Sequence, residues 1–372
     1  MKKNIIFHLP NYIDTKYPSG SQIRPSKMIH AFIELGYEVD MVIGYAQERQ
    51  KSIKLIKDKI KQGIKYEFAY SESSTMPTLL TEKHHLPTYP FLDFGLFQFL
   101  RKYQINIGLF YRDIYWLFED YKKQVSLYKR IVSIPFYHYD IWRYTNLLKA
   151  IFLPSLRMSK YIPNSFLQDK AHSLPPGCLI SSIPNLVEEN QPSIKLKLLY
   201  VGGVLPPFYN LQPLLQGINK TNATSLTLVC RQKEWKKIAN FYKNIGLKNV
   251  NIAHVSGQEL NSFYTEADLF AIIRQSDPYL DFAMPVKLFE ALGYGLPIIA
   301  SGGTAVARFV QENNVGWIIS NSDEFSQLIS HLQNNRNELI ATKQRVKQIR
   351  HQHTWCARAE TVAKALTQRG NQ

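Results

Sequence analysis

The sequence predicts an α/β protein of two Rossmann-like domains, each a parallel sheet covered by helices, facing one another across a cleft. Three observations lead there. Apolar, strand-like runs alternate with helical patterns in the first part of the chain, and the alternation restarts at residue 196. Between the two series lies PPGCLISSIPNLVEENQPSIK (175–195), proline-rich and polar, which reads as a linker. The length, 372 residues, is about twice that of a typical domain. The expected division is 1–188, 189–350 and a final helical segment, 351–372.

In order, IIFHL (5–9) is a short apolar run and the first buried strand, followed by NYIDTKYPSGSQ, rich in turn formers. Met28, Ile29, Phe32, Ile33 and Leu35 recur at helical spacing over 23–35, with Gly36 as the stop. EVDMVIGY (38–45) is the next strand. Strand, loop, helix, strand makes a βαβ unit whose loop, carrying Ser19, Gly20 and Ser21, faces a ligand cleft. Gly20 there lets the backbone approach a bound group, and Arg24 either reaches the cleft or stays on the helix surface. A basic amphipathic helix (46–62) and the strands IKYEFAY (64–70), INIGLFY (105–111) and AIFLP (150–154) continue the series.

Residues at the carboxyl ends of parallel strands line the cleft in open α/β sheets, so His8 and Asp113 are the titratable groups best placed for chemistry. The structural alternatives are a hydrogen-bonded core histidine and a helix-capping aspartate. Asp140 either meets a substrate or pairs with Arg143 on a helix surface.

The second series runs LKLLYVGG (196–203), a helix near 210–218, SLTLVC (225–230), a helix near 234–245, NVNIA (249–253), a helix near 257–266 and DLFAII (268–273). Gly202 and Gly203 end its first strand, while Arg231 and Arg274 end later ones on the cleft side, suited to bidentate phosphate contact. It culminates in SDPYLDFAMPVKLFEALGYGLPIIASGGT (276–304). Pro285 marks a helix start and Gly293 and Gly295 its stop, giving a helix over 285–292. Lys287 and Glu290 share one face near the helix's positive end, where unpaired N–H groups suit a diphosphate, Lys287 adds charge, and Glu290 can accept from sugar hydroxyls. The strand LPIIA follows, and Gly302, Gly303 and Thr304 then lead into another helix whose N-terminus points into the same cleft. Spacing alone also allows a plain i,i+3 ion pair between Lys287 and Glu290.

Net charge is +16, and residues 1–180 hold 25 Lys and Arg against 15 Asp and Glu, so the excess sits in the first half. Basic residues there interleave with aromatic ones in LPTYPFLDFGLFQFLRKYQ (86–104) and YKKQVSLYKRIVSIPFYHYDIWRY (121–144). That composition suits an anionic membrane surface or two aromatic core helices with solvated charges. No nucleic-acid-binding motif is present. No apolar run approaches the roughly 18 residues that span a bilayer, and MKKNIIFHLP has too short an apolar core for a secretory signal, so a cytoplasmic protein is expected. Cys178, Cys230 and Cys356 are far apart and form no metal spacing, and no acidic pair at metal-ligand spacing stands out.

PVKLFEALGYGLPIIASGGT resembles the donor-binding signature of GT-B glycosyltransferases of the family 4 type, and SGSQIRPSKMIHAFIELGYEVDMVIG resembles the opening of bacterial polysaccharide glycosyltransferases. The resemblance implies the GT-B plan, with an acceptor domain first, a nucleotide-sugar domain second, and a terminal helix that crosses back to the first. It assigns diphosphate and ribose to Lys287 and Glu290. It further implies a UDP-linked sugar as donor substrate, no other cofactor and no metal, a glycan or lipid-linked acceptor, and retention of anomeric configuration. Two departures stand out. Many relatives carry a second Glu eight residues before the first, where this chain has Phe282, so that Asp281 or Asp277 is left to meet the sugar ring. A basic pair common after the first strand of the second domain is replaced by VLPPFYNLQ. These departures admit a non-catalytic partner subunit as the alternative.

Overall fold

The structure, a computed structural model, describes residues 3–13, 20–181, 195–206 and 208–368. The turn-rich loop at 14–19 and the linker at 182–194 fall outside the described residues. The chain forms two compact units: residues up to Pro176 together with those from Trp355 on, and Gly177–Thr354. The divisions thus fall at 176 and 354, where 188 and 350 were expected.

The first unit holds a six-stranded, all-parallel sheet of β1 (Lys3–Leu9), β2 (Tyr37–Ile43), β3 (Tyr66–Glu72), β4 (Asn106–Phe110), β5 (Ala150–Leu153) and β6 (Ala171–Ser173), in the order β2-β1-β3-β4-β5-β6. Its helices are α1 (Gly20–Glu34), α2 (Ala46–Lys61), α3 (Leu92–Lys102), α4 (Glu119–Gln124), α5 (Leu127–Leu147) and α6 (Ser165–Asp169). Period-two alternation sends Ile5, Phe7 and Leu9 of β1 into a core shared with Met28, Ala31 and Phe32 of α1. His8 alternates to the opposite face and meets Phe97 of α3 edge-on. The strand order reverses between β1 and β3, which makes their carboxyl ends the crevice of this sheet.

The second unit has its own six-stranded parallel sheet, of β7 (Leu196–Val201), β8 (Thr224–Val229), β9 (Val250–Ala253), β10 (Leu269–Ile272), β11 (Ile298–Ser301) and β12 (Gly316–Ile319), in the order β12-β11-β10-β7-β8-β9. Helices α7 (Gln212–Asn219), α8 (Gln232–Ile245), α9 (Leu260–Glu266), α10 (Val286–Gly293), α11 (Ala305–Asn313), α12 (Ser322–Asn334) and α13 (Arg336–Ile349) surround it. Leu196, Leu198 and Tyr200 of β7 enter one core and Leu199 the other, as strands buried on both faces require. The order reverses between β7 and β10, so their carboxyl ends open this unit's crevice.

The last helix, α14 (Trp355–Thr367), packs in the first unit, where Trp355, Ala359, Val362, Ala363 and Leu366 join the β1–α1 core. Close approach to β4 requires Gly108, because a Cβ there would stand 2.9 Å from a Leu366 methyl. Asn106 donates its side-chain amide to the Leu366 carbonyl at 2.7 Å. Sequence patterning did not mark β6, β12, α12 or α13. β6 has three residues, Ala171, His172 and Ser173, none of them strongly strand-forming, and β12 has four.

Leu366→Ala is expected to destabilise the first unit by ~2–5 kcal/mol through the cavity it leaves. Native-state hydrogen exchange should show faster exchange in β3 and β4 with β7–β12 unchanged.

Candidate functional site

In a parallel sheet every helix that follows a strand starts at the strand's carboxyl edge, so α10 after β10 and α11 after β11 begin side by side. Pro285, extended at φ −77° and ψ 144°, occupies the N-cap of α10 and supplies no side-chain cap, so that the Leu288 N–H turns back to the Pro285 carbonyl at 3.2 Å and no side chain caps the Val286 and Lys287 N–H groups. Thr304 caps α11, its hydroxyl accepting from the Ala307 N–H at 3.1 Å. Gly303 precedes it at φ +74°, and a Cβ at that position would come 2.8 Å from the Ser276 hydroxyl. At Gly302 a Cβ would meet nothing closer than 3.7 Å, so the backbone is open there.

The ends of β10 and β11 and the Gly302–Gly303 loop border a cleft of about 500 Å³, lined by Asn210, Arg274, Ser276, Ser301, Gly302 and Gly303 among others; Lys287 and Glu290 are not among its lining residues. Arg274 is placed through both backbone and side chain. Its N–H donates to the Ser301 hydroxyl at 2.9 Å, and its guanidinium lies 5.4 Å from the Tyr209 ring centroid. Tyr209 in turn sits where a Cβ on Gly203 would be, 2.6 Å from a ring carbon, and Gly202 follows β7 directly. The second glycine of the pair therefore makes room for the aromatic support of the arginine.

Lys287 and Glu290 stand in the first turns of α10 and bond to each other at 2.6 Å, both about 30% exposed. Tyr264 of α9 donates to the same Glu290 oxygen at 2.9 Å. Its ring stacks on Phe270 and on Tyr294. Burial first, and then the Glu290 carboxylate, pushes the Tyr264 phenol well above its ordinary pKa, so it remains a donor. Glu290 is thus oriented from two sides. The exposed ion pair itself contributes only about 0–1 kcal/mol. Tyr264 was not singled out in the sequence, where it is one of 22 tyrosines and lies outside the signature.

The other expected residues are placed differently. Arg231 occupies the N-cap position of α8 without capping it through its side chain, which Glu234 holds at 2.5 Å with 72% of it exposed; like Lys287 and Glu290 it is not among the cleft-lining residues. Asp281 bonds Arg308 of α11 at 2.7 Å, Asp277 accepts from the Tyr279 N–H, and Phe282 is buried. Gly20 opens α1. His8 is 2% exposed, with Ser71 on one ring nitrogen at 2.8 Å and Asp93 on the other at 2.9 Å, which leaves neither nitrogen for a reactant in this structure. Burial opposes ionisation of Asp93, yet His8 and Arg49 outweigh it and hold the carboxyl below its ordinary pKa. Asp113 accepts from the Tyr115 N–H at 2.8 Å, a capping role. Arg24 is a core residue rather than a helix-surface one, bonded to Glu72 and stacked on Phe110.

Asp140 corrects the expectation of a surface pair. It is 4% exposed, accepts the Thr78 N–H at 2.7 Å, and its other oxygen has no hydrogen-bond partner, while Arg143 stacks over Phe94, Tyr139 and Trp142. Among the described residues no group of three or more His, Cys, Asp and Glu side chains could hold a metal ion.

Residues 195–335, inside the second unit, match the family Glycosyl transferases group 1. No protein of curated function matches the sequence. Among solved structures, a glycosyltransferase from Rickettsia africae is similar at 13% identity, with all of both chains covered and a TM-score of 0.64. Anabaena Alr3699/HepE, solved in complex with UDP-glucose, is 12% identical over 98% of this chain and 99% of that one, TM-score 0.61. WaaG, a glycosyltransferase involved in lipopolysaccharide biosynthesis, is 13% identical over 98% and 99%, TM-score 0.58. The fold is that of the GT-B glycosyltransferases, as the signature implied, with two Rossmann-like parallel-sheet domains.

Burial lifts the Asp140 carboxyl from its ordinary 3.8 to about 7, against the lowering effect of its bond to Thr78. Between those values the unfolded chain releases a proton that the fold retains, so this group's stabilisation is complete below pH 3.8 and is lost as pH rises to about 7. Asp140→Asn should abolish that slope, with urea unfolding across the interval as the measurement.

Proposed function

We propose that this protein transfers a sugar from a nucleotide-activated donor, UDP-linked, to a glycan or lipid-linked acceptor with retention of anomeric configuration. The observation that carries the reading is the uncapped N-terminus of α10 with Lys287 and Glu290 in its first turns, beside the Gly302–Gly303 approach to α11. In this reading Arg274, which lines the cleft, acts with Lys287 and the two helix N-termini on the negative charge that grows on the departing diphosphate. Because the charge is met by fixed groups, the transition state gains more than the ground state does. Lys287 exchanges its bond to Glu290 for the diphosphate, and Glu290, still held by Tyr264, accepts from the ribose hydroxyls. Access of water to the activated carbon must be restricted while the acceptor hydroxyl approaches.

A second reading, a non-catalytic subunit that keeps a nucleotide site, draws on one observation. The position of the expected second carboxylate is filled by buried Phe282, and neighbouring Asp281 is engaged with Arg308.

The acceptor side is proposed to lie at the inner face of an anionic membrane. Leu127, Tyr128, Ile131 and Val132 are each at least half exposed, at spacings that put them on one side of α5, with Lys122, Lys123, Lys129 and Arg130 close in sequence. Apolar side chains rimmed by cations match the boundary between acyl chains and anionic headgroups. α3, by contrast, turns Phe94, Leu96, Phe97 and Leu100 into the core. Among the described residues no helix is long and apolar enough to cross a membrane.

Calorimetry against UDP, GDP, CMP and dTDP sugars should show saturable binding of a UDP sugar. Lys287→Ala and Glu290→Ala should each weaken it by about tenfold or more, with a smaller loss in Tyr264→Phe. Turnover with a released, glycosylated acceptor separates the enzyme from the subunit reading, and a folded protein that binds none of the four sinks both. Flotation with phosphatidylglycerol vesicles should recover the protein at low salt and fail in Ile131→Glu; equal recovery with neutral vesicles would remove the membrane proposal.

A further inference from the structure

The crevice of the first unit holds a cluster that the donor site does not use. Glu72, at the end of β3 and wholly buried, pairs with two arginines: it accepts from Arg112 Nη2 at 2.9 Å and stands 3.2 Å from Arg24 Nε, an ion pair without hydrogen-bond geometry. Tyr70 donates to the same carboxylate at 3.0 Å. Two arginines share this one buried carboxylate, with Asp113, next in the chain to Arg112, acting on Arg112 as a weaker counter-charge. Arg24 is 2% exposed, its Nη1 has no hydrogen-bond partner, and its guanidinium rests on Phe110 at 3.5 Å. Arg112 spends Nε on the Ser73 carbonyl and Nη2 on Glu72, and its Nη1 has no bond to any described residue. Burial, with Arg24 acting in the same sense and Glu72 against it, presses the Arg112 pKa below the ordinary guanidinium value.

Arg112 lines a pocket of about 50 Å³ whose other walls include Asn11, Gln22, Ser73, Ser74 and Thr75. At roughly 10–15 Å³ per enclosed water, that is room for a few waters, which suits a carboxylate or a tetrahedral oxyanion and not a sugar ring. The walls offer hydroxyl and amide groups of the kind that complete an oxyanion's shell. The pocket opens between the ends of β1 and β3, at the switch point of this sheet.

We propose that this pocket binds the carboxylate or phosphate group of an anionic acceptor, with Arg112 as the residue that selects for it. The proposal rests on the transferase reading, since it takes the second unit to hold the donor. An acidic sugar residue and a lipid-linked phosphate present the same chemistry here, and a neutral glycan presents none of it.

The test is thermal unfolding at constant ionic strength with glucuronate, inorganic phosphate or neutral glucose as probe, in a Lys287→Ala background that weakens anion binding at the donor site. A ligand that binds the native state alone raises its melting temperature. The expected result is a saturable rise with at least one anion and none with glucose. Arg112→Lys should weaken it about tenfold, as loss of a bidentate charge-assisted contact implies. Glu72→Gln, which removes the competing carboxylate, should strengthen it and guards against a folding defect in the arginine variant. A response to glucuronate alone assigns an acidic sugar, and one to phosphate alone a phosphorylated acceptor. No saturable rise with either anion, or the same rise in Arg112→Lys, overturns the proposal. UDP-sugar binding by the unmodified protein is measured in parallel: if it persists while the anion response fails, only this inference falls, and if it too is lacking, the transferase reading falls with it.

Discussion

A parallel strand can be followed by another only after the chain has crossed back over the sheet, and here that return is made mostly by helices. Every strand therefore ends, and the helix after it begins, at one edge. The unpaired N–H groups of those helices gather where no strand continues to use them, and backbone dipoles supply positive potential before any side chain is chosen. Side chains refine this edge in the second unit. Gly203 admits Tyr209, Tyr209 supports Arg274, and Pro285 leaves the start of α10 uncapped. The chemistry of the cleft follows from chain direction first and from residue identity second.

The first unit meets the same constraint with different means. Its crevice is bordered by buried ions, Arg24 and Arg112 about Glu72, with a second network, Ser71–His8–Asp93–Arg49, behind β1. Such groups are kept in a fold only when each finds partners, because desolvating an ion without one costs several kcal/mol. The second unit's edge works with backbone and part-exposed side chains, and the first unit's with buried charge.

Fold class was legible because both sheets are built from apolar runs bounded by glycines, and α10 from a proline start and a glycine stop. β6 escaped notice because its three residues carry neither a period nor strong strand formers; length alone does not explain β12, since β5, β9, β10 and β11 are also four residues long. Side-chain and backbone placement was legible where local sequence determines it, as in Pro285 at the start of α10, the Lys287–Glu290 pair on one face and Gly303 before α11. It was illegible where partners come from elsewhere in the chain. Nothing near His8 in sequence announces Asp93, 85 positions on, and nothing near Glu290 announces Tyr264. A strand-end position does not by itself fix a side chain's partner: Arg231 follows β8, away from the β7/β10 switch point, and Glu234 one turn later engages it.

The placement of α14 bears on how the protein is made. The second unit is one continuous stretch of chain, whereas the core of the first waits for Trp355, Val362 and Leu366. During synthesis the sheet of the first unit emerges earliest, with a face still uncovered until residues 355–367 have left the ribosome. The nascent protein thus carries a finished second unit attached to an unfinished first one. A message cut short ahead of Trp355 would yield that same half-built species, so α14 decides whether the first core closes.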